Sequence, residues 1–252
     1  VTTTKATLSR WLLGLMTAAL AIANTQAQTL RVTAANASNS AVYDVNFVDT
    51  GGFITQLNND QNKHVSLRSL AYIPNASTGK IDLLVADTSR GEIIRYANAT
   101  GTASVVWSTA QGPGPINPDG LSVADGNVFV VTSAPGSPKP AGLWVLARDP
   151  AFPSGAGFLA PRLIDNTFGG LAVQALEETL VARTTSNAAN AGDLLVLSGS
   201  PATVLVYSAL GLQSVINGGG PISPSRTLIS AAQFPAGVSP GGMDFWPPDN
   251  TL

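Results

Sequence analysis

The chain has 252 residues, 44% hydrophobic and only 11% charged, with 25 Gly, 17 Pro and no Cys. That is enough apolar material for a sizeable core, and Gly and Pro at this level suit many short strands joined by tight turns. The net charge of −2 comes without a basic stripe or acidic tail, which argues against a nucleic-acid partner; the lack of cysteine excludes disulfides and a lipid-modified cysteine.

The first segment reads as a secretory signal peptide over residues 1–27. Lys5 and Arg10 form a positive start, and the uncharged run Trp11 to Ala23 spans 13 residues. Small residues at Thr25 and Ala27 suit cleavage after Ala27; a cut after Ala23 competes. The run is short for a bilayer, which needs about 20 apolar residues, and no later stretch is long enough to span one. Its removal leaves the rest of the chain at −4. An exported protein, periplasmic or extracellular, is therefore expected. The sequons at Asn36, Asn75 and Asn98 matter only in a eukaryotic secretory pathway.

Beyond residue 28, short runs of Val, Ile, Leu, Tyr and Phe alternate with clusters of Gly, Pro, Asn, Asp and Ser, which is the signature of an all-β domain. Strands are expected at 41–48, 52–57, 69–73, 81–86, 92–96, 103–107, 120–123, 127–132, 142–147, 193–197 and 203–208. The stretch "GLAVQALEETLVA" (170–182) is the one helix-like segment, and it also reads as two strands around a Glu-Glu turn, the preferred reading. Segments opening with Leu70, Leu121, Leu171 and Met243 resemble one another at spacings of 51, 50 and 72 residues. The last spacing calls for an insertion, which 182–193 and 217–224 would supply. Four antiparallel strands at this period describe a β-propeller blade. The continuous apolar runs Leu83 to Ala86 and Val128 to Val131 suit strands covered on both faces. A β-sandwich is the alternative, although its strands should alternate more.

"LLVADTSRGEIIRY", preceded by "SLAYIPNASTGKID", resembles an NHL-type propeller repeat. "PDGLSVADGNVFVV" resembles the blade opening of NHL proteins and of the SMP-30/gluconolactonase/strictosidine-synthase-like group. The resemblance is good over 66–147 and loose over 167–252. It implies a six-bladed type of ring, whereas residues 28–252 supply about four and a half blades at about 50 residues each. The expectation is a propeller truncated at its C-terminal end, with apolar blade faces left open. The resemblance also implies that Asp119, in "NPDGL", ligates a divalent metal such as calcium at a central channel. The group's partner Asn is not matched, because the corresponding opening is "FGGL" with Gly169 and Gly170. As residues, Asp87, Asp119 and Asp244 read first as turn or strand-end positions.

Other candidates fall away. "NNDQN" (58–62) begins like a calcium loop, but Lys63 and Ser69 stand where Gly and Glu are required. His64 is the only histidine, so no His-pair zinc motif exists, and no G-x-S-x-G elbow is present. The glycines at 112–114 and 218–220 lack a following Gly-Lys-Ser/Thr and read as loops. Glu177 and Glu178 are adjacent, so in a strand they should point to opposite faces and make a poor carboxylate pair. Trp107, Trp144 and Trp246 read as packing between blades. The function expected is a scaffold that binds a protein or small molecule without catalysis. A calcium-dependent lactonase-like hydrolase and a structural envelope protein are the alternatives.

Overall fold

The computed structural model describes residues 30–36, 41–47, 53–58, 67–75, 78–97, 103–132, 141–151 and 157–243. The proposed signal peptide, His64, Asp244 and Trp246 lie outside them. Among the described residues, no helix is long and apolar enough to cross a membrane.

Strands β1 (Leu30–Asn36), β2 (Ala41–Phe47) and β3 (Phe53–Asn58) form a three-stranded sheet in that order. The chain divides into two compact units, and every strand from Leu67 onward belongs to the larger. It holds three four-stranded antiparallel sheets whose strands follow in sequence. The first has β4 (Leu67–Asn75), β5 (Lys80–Asp87), β6 (Glu92–Tyr96) and β7 (Ala103–Ser108). The second has β8 (Pro118–Ala124), β9 (Asn127–Thr132), β10 (Gly142–Leu146) and β11 (Arg162–Asp165). The third has β12 (Ala175–Val181), β13 (Leu194–Ser200), β14 (Ala202–Tyr207) and β15 (Arg226–Ile229), with helix α1 (Ala209–Ile216) between the last two. The leading strands β4, β8 and β12 lie side by side, yet among the described residues the sheets do not close into a ring.

The apolar runs form strands because each central strand feeds two cores at once. In β9, Val128 and Val130 pack toward the first sheet, while Phe129 and Val131 pack toward the third. In β13, Leu194 and Val196 join that second core, and Leu195 and Leu197 face the opposite side. Alternation therefore persists, but both faces are buried, so a strand reads as one continuous apolar run. Asp125 (φ 51°) and Gly126 (φ 78°) turn β8 into β9, the paired left-handed geometry that a two-residue hairpin requires.

Two buried carboxylates are clamped. Arg95 donates through Nε to Asp82 Oδ2 at 2.6 Å and pairs with it again through Nη2. Asp165, at the end of β11, accepts from Thr167 N (2.7 Å), Thr167 Oγ1 (2.9 Å), Phe168 N (3.1 Å) and, from the third sheet, Tyr207 OH (2.9 Å). Burial and the Asp165 carboxylate push the Tyr207 hydroxyl far above its ordinary range, so it stays a donor.

Three expectations are corrected. Residues 170–182 do not fold as two strands around a Glu-Glu turn. A 3₁₀ turn at Phe168–Gly170 leads into a single strand, with both glutamates inside it. Leu171 lies outside the strands and is 39% exposed; register places Thr179 opposite Val196, equivalent to Leu121 opposite Val130 and Leu70 opposite Val85. Helix α1 was not expected; Ser208 caps it, and Leu212 and Val215 enter the core between the second and third sheets. The outer face of the third sheet is also not left open. Leu195, Leu197, Val204 and Val206 are buried there, with Ala182, Ala189, Phe234 and Met243 packed on them.

Candidate functional site: the leading-strand row

The same irregularity recurs at the start of each leading strand. In β4, Leu67 faces Asp87 and Ser69 faces Ala86, so Arg68 is the extra residue of a bulge. In β8, Pro118 faces Thr132 and Gly120 faces Val131, which leaves Asp119. In β12, Leu176 faces Ser198 and Glu178 faces Leu197, which leaves Glu177. A bulge bends its strand and re-aims a side chain, and bulges are frequent beside functional sites. Here three equivalent bulges set Arg68, Asp119 and Glu177 in one row, one residue from each sheet.

Asp119 therefore lies within strand β8 rather than in a turn before it. The Arg68 guanidinium Nε is 3.7 Å from Asp119 Oδ1; the arginine side chain is 59% exposed and the aspartate 12%. An ion pair this long and this wet is a weak constraint. Burial raises the Glu177 pKa above its ordinary 4.5, the Asp119 charge raises it further, and Arg68 acts in the opposite direction. The partner Glu177 senses is thus Asp119 of the next sheet. Glu178 instead accepts a hydrogen bond from Met243 N at 2.9 Å. Glu177 Oε1 lies over Gly199, where an added Cβ would stand only 2.6 Å away, and Ser239 Oγ donates to Gly199 O beside it at 3.2 Å.

Two kinds of contact hold the row. Between the first and second sheets, Ser69 Oγ accepts from Leu121 N at 3.0 Å, and Thr88 Oγ1 donates to Pro118 O at 2.7 Å. Between the second and third, Gly120 takes the place equivalent to Ser69. A Cβ on Gly120 would lie 2.7 Å from Glu178 Cα and 2.8 Å from Glu177 O, so the two backbones touch there.

Of the sequence candidates, the structure brings Asp119 to the row, and it buries Asp87 at the end of β5, opposite Leu67, where it accepts from Arg90 N in the β5–β6 turn. Gly169 and Gly170 lie in the 3₁₀ turn before β12. Trp107 is buried between the first two sheets and Trp144 packs partly against the same core. Arg68 and Glu177 were missed as site residues. Their equivalence to Asp119 is a matter of register, at spacings of 51 and 58 residues, and no motif marks it.

Calcium takes six to eight oxygen ligands. The row offers two carboxylates, one already beside an arginine, and among the described residues no three acidic, histidine or cysteine side chains converge on a metal position. That donor set does not fit calcium.

No family model matches the chain, and no curated protein matches it. Among solved structures it is similar to one titled "Crystal structure of Nidogen/Laminin Complex", with a TM-score of 0.33 and 12% identity over 81% of this chain and 82% of that one.

Proposed function

We propose that the chain is an exported β-propeller-type scaffold, that its four-stranded sheets are blades, and that the Arg68–Asp119–Glu177 row is the mouth with which it binds a partner or small molecule. The observation that carries this reading is the threefold bulge, which sets one charged side chain per sheet at the same height. The row sums to one negative charge, with its cation loosely held and largely exposed. A ligand bearing a guanidinium or ammonium group complements it and competes with Arg68 for Asp119. Ser69 and Ser239, two hydroxyls beside the row, bond to backbone, which favours binding over nucleophilic chemistry.

A calcium-dependent lactonase-like hydrolase needs oxygen donors beyond these two carboxylates, and it is kept as the second reading because Asp119 and Glu177 hold equivalent bulge positions on adjacent leading strands and the Asp119 charge reaches Glu177. One thermal-shift titration separates the two. Agmatine, arginine amide and putrescine are expected to raise the melting temperature of the wild type and not of an Asp119→Asn/Glu177→Gln variant, while calcium has no effect. A calcium-dependent rise that Asp119→Ala abolishes favours the hydrolase. No response to any of these compounds removes the row as a binding mouth.

A further inference from the structure

Two hydroxyls lie between the second and third sheets without hydrogen-bond partners. Ser122 Oγ and Thr179 Oγ1 are both closed off from solvent. Directly opposed residues of antiparallel strands share a face of the sheet. Ser122 is opposite Phe129, and Thr179 is opposite Val196. Phe129 and Val196 belong to the same apolar core, which joins the second sheet to the third. Both hydroxyls therefore project into one inter-sheet space, from the adjacent leading strands β8 and β12.

A buried hydroxyl with no partner is costly, and two in one apolar space call for a common explanation. Each hydroxyl can give one hydrogen and accept two. The guest that satisfies both must be small and able to donate and accept. A neutral guest suits the space, because the surrounding core is apolar and the buried Asp165 carboxylate at that core is already held by four hydrogen bonds. We propose that Ser122 and Thr179 form an internal water-binding site that ties β8 to β12 behind the point where Gly120 and Glu178 touch. Such a water needs two to four polar partners, and the two hydroxyls provide the first two.

The test uses the full chain with Thr179→Val, Ser122→Ala and the double variant, and with Thr179→Ser as the conservative control. Oxygen-17 relaxation dispersion counts long-lived internal waters, and thermal melting follows stability. The wild type is expected to hold one more such water than the double variant, and Thr179→Ser is expected to keep it. Thr179→Val should lower the melting temperature by about 2–4 °C. The double variant should be no less stable than the worse single one, since the guest is already lost. Equal water counts in wild type and double variant, or a melting temperature raised by Thr179→Val, overturn the proposal. Equal counts together with a lowered melting temperature mean a direct bond between the hydroxyls, which also overturns it.

Discussion

The junction between the first and second sheets and the junction between the second and third solve the same problem with different chemistry. Each brings two leading strands together at a bulge. The first uses side chains: Ser69 bonds to Leu121 N, and Arg68 approaches Asp119. The second uses backbone against backbone at Gly120, and there the Asp119 charge raises the Glu177 pKa while Arg68, from the first sheet, opposes it. Repeat geometry can thus stay constant while the side chains at equivalent places change from pairing to repulsion. A repeat tolerates such a change because the apolar cores behind the row carry the packing. The charged position is left open to other uses.

Breaking each junction should give effects of graded size. The largest belongs to the outer end of the second junction. Asp165→Ala removes four hydrogen bonds and strands the buried Tyr207 hydroxyl, so urea unfolding should show a loss of about 3 kcal/mol. At the inner end, Gly120→Ala drives a Cβ into the Glu178 backbone and should cost about 1–3 kcal/mol. The matching change in the first junction, Ser69→Ala, leaves Leu121 N without its acceptor and should cost about 1 kcal/mol. If Gly120→Ala proves the milder of the two, the backbone contact is not what closes the second junction.

The smallest effect depends on pH. Glu177 has a raised pKa in the folded chain, so the folded state holds its proton more tightly than the unfolded state. Its contribution is complete below the ordinary value near 4.5 and is lost as the pH rises through the folded value. Glu177→Gln should therefore be slightly more stable than the wild type at pH 7, and this advantage should shrink as the pH falls through the folded value and be gone below about 4.5. Melting curves across that range check it; an advantage independent of pH would point to packing instead.

Much of the architecture was legible in the sequence. The runs around Leu83 and Val128 announced strands buried on both faces, and the first sheet, with its leading strand and three that follow, falls where the repeat placed it. The insertions expected at 182–193 and 217–224 fall in the β12–β13 and β14–β15 connections. The third leading strand was misread because its bulge breaks the period of two. Leu176 and Thr179 are both buried three residues apart, which imitates a helix or a turn. Helix α1 was hidden by its eight-residue length and by Gly211 within it. Asp119 was singled out through its motif, whereas Arg68 and Glu177 carry no motif and become its neighbours only through register.

The row itself is tested most directly by following the Glu177 carboxyl carbon by NMR as a function of pH. Its titration should lie above 4.5 in the wild type, move down in Asp119→Asn and move up in Arg68→Gln. A Glu177 that titrates at its ordinary value and ignores both substitutions would contradict the arrangement of the three residues in one row.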